Sequence, residues 1–288
     1  MTDTSDIVLS TQGLSKSFGG FMAIADVTLD IRRGSIHALI GPNGAGKTTL
    51  FNLLTKFLVP TSGRIFFNGA DITALEPANI ARRGLVRSFQ ISAVFPTLTV
   101  LENVRIALQR RESSVLDFWC SDRRLRAFDQ RSLQLLDSVG LASLAGKTAG
   151  ELSYGHKRAL EIATTLALEP QVLLLDEPLA GMGIEDIERT AALIRLAAAQ
   201  RTVVMVEHNL SVVASLADRI TVLARGSVLA DGNYETVSND PAVIEAYIGT
   251  GDDLTARDDG RAGKAGDAFG RASSRLVWRV ADRPRRQL

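Results

Sequence analysis

The segment Gly41–Thr48, GPNGAGKT, constrains this chain more than any other stretch of its sequence. It satisfies the pattern G-x-x-x-x-G-K-[ST]. An apolar run, SIHALI, precedes it, and Leu50, Leu53, Leu54 and Phe57 follow at helical spacing. A strand therefore feeds a glycine-rich loop that opens a helix. Glycines let successive backbone N–H groups turn toward an anion, and the helix directs its positive dipole end at the same place. Gly41, Pro42, Asn43, Gly44, Ala45, Gly46, Lys47, Thr48 and Thr49 are thus candidates to wrap a nucleotide's phosphates. Lys47 suits the β- and γ-phosphates, and the Thr48 hydroxyl suits a Mg²⁺ ion. The bland alternative is a strand-to-helix turn that binds nothing; the complete pattern and its flanks argue against it.

VLLLDEP, Val172–Pro178, supplies the complementary half. An apolar strand delivers two adjacent carboxylates to its C-terminal end, where open α/β sheets place their ligands. Asp176 suits the Mg²⁺ shell. Glu177 suits polarising a water, because in-line displacement at a γ-phosphorus needs a nucleophile held opposite the leaving group. Alone, Asp-Glu-Pro reads as a strand cap and turn; with the phosphate loop upstream, catalysis is the better reading.

The apolar runs IVLSTQGL, VTLDI, SIHALI and RIFFNG, separated by Gly and Pro-Thr-Ser-Gly, read as strands. From about residue 99 to 169 the texture is helical, including YGHKRALEIATTLALEP. QVLLLDEP and TVVMVEH then flank a helix whose Ile184, Ile187, Ala191 and Ile194 share one face, and strand, helix, strand argues for parallel sheet. PAVIEAYIGT is the last ordered element expected, and residues 250–288, rich in Gly, Arg and Asp, read as a disordered tail.

With 33 basic and 32 acidic residues, nothing in the charge balance announces a nucleic acid as partner. The single cysteine, Cys120, rules out a disulfide within the chain and fits a reducing compartment. The start MTDTSDIVLS lacks the basic and apolar regions of a signal peptide, and no stretch approaches the roughly 18 apolar residues of a membrane span, so a cytoplasmic location is expected.

LSYGHKR, Leu152–Arg158, lies after the helical block and shortly before VLLLDEP. It resembles the signature motif of ABC-type ATPases, and the resemblance covers nearly all of residues 7–249. It implies an α/β fold of the P-loop NTPase type, with an antiparallel β subdomain and a helical subdomain inserted at about 92–168. It also implies a head-to-tail dimer in which each ATP lies between the phosphate loop of one chain and the signature of the other. Ser153 and Gly155 are the residues carried over to that contact. Tyr154 stands where a glycine is usual and His156 where a glutamine is usual.

Three further positions match the family. Gln90, in VRSFQ, corresponds to the lid glutamine that touches Mg²⁺ and the attacking water. His208 corresponds to the switch histidine at the γ-phosphate, and Phe18 to the aromatic side chain stacked on adenine. After Glu177, Gly183 occupies the place of an aspartate that usually contacts the other subunit. PLAGMG, LSYG and VEHNL together look like the ATP-binding subunits of branched-chain amino-acid importers.

The resemblance implies ATP and Mg²⁺ as cofactors and transmembrane permease subunits as partners. It further implies a second ATPase subunit, identical or related, and indirectly a substrate-binding protein. The chain would sit on the inner face of the cell membrane through its permeases. A lipid or lipopolysaccharide exporter, a non-transport ABC ATPase of DNA repair or ribosomes, and a binding module without turnover are the alternatives. Phe95 and Leu98, after Gln90, are candidate anchors for a permease helix; Trp119, in SSVLDFWC, reads as packing. The tail arginines read as solvated, with contact to anionic lipid as the second option.

Overall fold

The computed structural model describes residues 6–88, 94–112, 128–180 and 182–252. Gln90, Trp119, Cys120 and nearly all of the expected tail lie outside them.

Two sheets organise the molecule. Strands β1 (Ile7–Phe18), β2 (Phe21–Arg32), β4 (Ser62–Phe67) and β5 (Ala70–Asp71) form an antiparallel sheet in the order β2-β1-β4-β5. β1 and β2 are joined through Gly19 and Gly20, both at positive φ, the backbone that a tight two-residue hairpin needs. Here β1 is longer than the expected run IVLSTQGL. Gly13, at φ 59°, lets the strand shift register there and continue to Phe18.

The second sheet contains β3 (Ile36–Ile40), β6 (Leu85–Ser88), β7 (Val172–Asp176), β8 (Thr202–Val206), β9 (Arg219–Ala224) and β10 (Ser227–Gly232), in the order β10-β9-β3-β8-β7-β6. Only β10 runs antiparallel to its neighbour. Every residue of β3, β7 and β8 is buried, as expected of strands covered on both faces. Alternate residues serve different cores. Ile36, Ala38, Ile40, Leu173, Leu175, Val203 and Met205 join one cluster, whereas Leu39, Val172, Leu174, Val204 and Val206 join the other.

The second of these cores lies between the two sheets and holds helix α1 (Lys47–Leu54). Leu50, Phe51, Leu53 and Leu54 are wholly buried there, each contributing roughly 1.5–3 kcal/mol. The helix stops earlier than the spacing of Phe57 suggested. The Thr55 hydroxyl donates to the Phe51 carbonyl at 2.8 Å and Lys56 takes φ 62°, so Phe57 turns out to solvent, 54 % exposed.

α2 (Pro77–Arg82) precedes β6. Between β6 and β7 come α3 (Val100–Glu112), α4 (Asp129–Ser138), two short 3₁₀ turns and α5 (Tyr154–Ala167). Thr99 and Glu102 cap α3 reciprocally: the Thr99 N–H donates to Glu102 Oε2 at 2.7 Å, and the Glu102 N–H to Thr99 Oγ1 at 3.1 Å. α6 (Ile184–Ala198) links β7 to β8, burying Ala191 and Ile194. α7 (Leu210–Leu216), α8 (Tyr234–Ser238) and α9 (Pro241–Asp252) complete the chain described. Among the described residues no helix is long and apolar enough to cross a membrane.

Candidate nucleotide-binding site

The loop from Gly41 to Gly46 leaves the centre of the six-stranded sheet, and two of its glycines cannot be replaced without moving backbone. A Cβ on Gly41 would lie 2.1 Å from the Leu223 carbonyl oxygen, and one on Gly46 (φ 101°) 2.7 Å from that of Ala23. The Gly226 N–H, donating to the Ala45 carbonyl at 3.0 Å, ties the loop to the turn after β9. The N-cap of α1 is Gly46, which has no side chain to bond the first N–H groups, and the start of a helix with such groups uncapped suits an anion. Lys47 Nζ donates to the carbonyls of Gly41 at 2.7 Å and Pro42 at 2.9 Å. Burial lowers the Lys47 pKa, and the negative charge of Glu177 opposes that shift. Asn43, Gly44 and Thr48 are exposed, Pro42 and Thr49 half-buried, and Ala45 buried.

The ends of β3, β7 and β8 align beside this loop. Asp176 stands opposite Val206, the Glu177 N–H donates to the Val206 carbonyl at 3.0 Å, and the Glu207 N–H donates to that of Leu39 at 3.3 Å. Glu177 has φ 44°, a conformation uncommon for a residue with a side chain and found at functional turns. The carboxylates and the phosphate loop are thus brought to one edge of the sheet. His208 follows immediately and is exposed.

Two functional candidates escaped the sequence reading. Arg87, on β6, pairs with the Asp176 carboxylate and donates through Nη1 to Asn52 Oδ1 of α1 at 2.6 Å. Its guanidinium also lies 5.8 Å from the Phe51 ring centroid. The available signal was a charge inside a strand of a buried sheet, which demands a partner. Glu207 is the second, wholly buried at the end of an apolar strand. Its Oε1 accepts from the Leu179 N–H at 3.0 Å and its Oε2 from the His208 N–H at 3.2 Å. Burial raises its pKa, while the N–H groups of Leu179, Asn209 and His208 oppose that shift.

The signature segment is built separately. Ser153 caps α5, its Oγ lying 3.4 Å from the His156 nitrogen and 3.0 Å from His156 Nδ1. Gly155 is buried against Asp186, whose Oδ1 would be 2.5 Å from an added Cβ. Tyr154 reaches away from this end: its hydroxyl donates to the Ala180 carbonyl at 3.0 Å. Gly183 takes extended backbone as the residue before α6. Phe18, at the β1–β2 hairpin, is 45 % exposed with Lys16 Nζ 5.0 Å from its ring centroid. Phe95 is likewise exposed, and Leu98 is half-buried.

A glycine-rich loop between β3 and α1, with carboxylates closing the parallel strands beside it, defines a P-loop nucleotide-binding cassette. The chain belongs to the ABC transporter family, a family of ATP-hydrolysing proteins: residues 24–180 match the model described as ABC transporter. Residues 227–253 match a second model, described as branched-chain amino acid ATP-binding cassette transporter.

Similar proteins include the high-affinity branched-chain amino acid transport ATP-binding protein BraF of Pseudomonas aeruginosa, 37% identical over 84% of this chain and 98% of the relative. LivG of Escherichia coli, of the same description, is 38% identical over 85% and 99%. The solved ADP conformation of an ATP-binding cassette of an ABC transporter superposes with TM-score 0.74 at 32% identity, covering 84% of this chain and 99% of that one. A dimeric cassette bound to ADP and Pi gives TM-score 0.66 at 25% identity, over 78% and 98%.

Proposed function

We propose that this chain is the ATP-hydrolysing subunit of an importer of branched-chain amino acids, acting as a dimer on cytoplasmic loops of transmembrane permease subunits. The observation that carries the nucleotide reading is the meeting of Lys47, Asp176 and Glu177 at one sheet edge beside the glycine loop. The import reading rests on the names of the relatives and on the second family model, which favour it over lipid export.

In this reading the backbone of Gly41–Thr49 wraps the phosphates, Lys47 exchanges its loop carbonyls for β- and γ-oxygens, and Phe18 stacks on adenine. The hydroxyl of Thr48, the carboxylate of Asp176 and the amide oxygen of Gln90 would supply an all-oxygen donor set. That suits Mg²⁺, which is held by few carboxylates plus phosphate. Bound there, Mg²⁺ would neutralise charge on the phosphate oxygens. Arg87 must share the Asp176 carboxylate with it.

Glu177 polarises the attacking water and His208 holds the γ-phosphate. Ser153 and Gly155 of a second copy, or of a related subunit, cover the same nucleotide from the other side. The working unit is residues 7–249, with the helical part at about 92–168 facing the permease through Phe95 and Leu98. Closure around ATP moves the permeases and hydrolysis resets them. A substrate-binding protein would take part only through the permeases.

The test is ATP turnover by wild type and Glu177→Gln, with sizing chromatography with and without MgATP. Turnover only in wild type, together with an ATP-dependent dimer of the variant, is expected. Equal turnover in both chains would remove Glu177 from the mechanism. Co-purification with permeases from the source organism, followed by leucine uptake into vesicles, tests the import reading.

A further inference from the structure

The turn after Glu177 is gripped from two sides by side chains that the nucleotide site does not use. On one side Tyr154, the first residue of α5, donates to the Ala180 carbonyl. It is itself braced by Arg158, whose Nη2 donates to the Tyr154 oxygen at 3.3 Å and whose guanidinium lies 5.6 Å from the ring centroid. Arg158 is in turn held by Glu161 at 2.7 Å. On the other side the buried carboxylate of Glu207 accepts from Leu179 with one oxygen and from His208 with the other. Leu179 and Ala180 are neighbours in sequence, about 3.8 Å apart at their Cα atoms, so neither tie can move without the other. The turn is also short and closed: the Ala180 N–H donates to the Glu177 carbonyl at 3.1 Å.

We infer that Tyr154 and Glu207 are positioning residues that carry a displacement of His208 through the 178–180 turn to the N-terminus of α5. The inference rests on the nucleotide reading above, in which His208 meets the chain's own ATP and Ser153 meets the ATP of the second copy. Glu207 is a bracket between switch and turn, since a carboxylate bonded to N–H groups from both segments resists their separation. Tyr154 extends that bracket to the signature. The tyrosine in place of the usual glycine is then the lever arm: a glycine has no hydroxyl to reach Ala180. Each chain would thereby report the state of its own nucleotide at the surface it offers to its partner.

The experiment uses the full chain carrying Glu177→Gln, so that ATP persists, at a dilution where sizing chromatography shows a monomer. Amide hydrogen exchange is followed with and without MgATP. In the monomer no second nucleotide touches the signature, so a response there must travel within the chain. ATP should slow exchange at residues 207–210 and also at 152–158, the latter by about threefold or more. Adding Tyr154→Phe, which removes one oxygen from a half-exposed side chain, should abolish the response at 152–158 and keep that at 207–210. Glu207→Gln should do the same, and thermal melts of both variants establish that they fold.

An equal response at 152–158 with and without the Tyr154 hydroxyl, or none in the parent chain, overturns the coupling. Absence of any response at 207–210 in the parent means that ATP is not sensed at His208. That outcome removes the underlying site reading and the coupling with it.

Discussion

The phosphate loop and the signature segment are both places where a helix begins, yet they are held by different means. The loop is shaped by backbone. Gly41 and Gly46 press against carbonyls of Leu223 and Ala23, and β3 anchors the loop in the middle of a buried sheet. The signature is shaped by side chains: the Ser153 cap, the Tyr154 hydroxyl on Ala180, and the Arg158–Glu161 pair. A backbone-built site admits almost no substitution. A side-chain-built site can exchange one residue for another provided the cap survives, and this chain has done so at Tyr154 and His156.

The contrast predicts unequal losses. The largest should come from Gly41→Ala, because its methyl meets backbone at 2.1 Å; urea unfolding should show a destabilisation of about 5 kcal/mol or failure to fold. Next, Arg87→Met leaves the buried Asp176 carboxylate without its cation, costing about 3–5 kcal/mol in the same assay. If Gly41→Ala melts like wild type, the backbone of the loop is less constrained than its contacts imply; if Arg87→Met does, the Asp176 carboxylate does not depend on its cation.

A smaller effect belongs to acid. Burial holds the His37 pKa at about 4, with Arg219 reinforcing that shift and Asp231 opposing it, against about 6.5 when unfolded. The unfolded chain therefore binds the extra proton, so stability is full above about pH 6.5 and falls as pH drops toward 4. The loss should be on the order of 3 kcal/mol. Denaturant titrations at a series of pH values should show this step in wild type and not in His37→Gln.

The smallest loss should be Ser153→Ala, about 1 kcal/mol for a missing helix cap. A cost there equal to that of Gly41→Ala would erase the distinction between the two regions.

Legibility in the sequence follows the same division. The strand–loop–helix at Gly41–Thr48 could be read because each part obeys a local rule: apolar strand, glycines, helical spacing. The carboxylates at Asp176 and Glu177 followed from the strand that carries them. Phe57 was misplaced because periodicity does not register where a helix stops; the Thr55 and Lys56 backbone decides that. Arg87 was passed over because its partners, Asn52 and Asp176, lie 35 and 89 residues away along the chain. Glu207 was read as part of a family motif around His208, and its grip on Leu179 depends on how two strand ends come level. Tyr154 was noticed only as a departure, since its reach to Ala180 exists only once α5 and the turn are placed together.

The alternation of β3, β7 and β8 between two cores also bears on how chains of this kind can change length. Adding or deleting one residue within any of these strands would present every following side chain to the opposite core. Neither core could absorb that exchange, because both are filled by residues whose neighbours in sequence fill the other. Drift in length is thereby confined to the connections, and the sheet acts as a ruler along which insertions are admitted only between the marks.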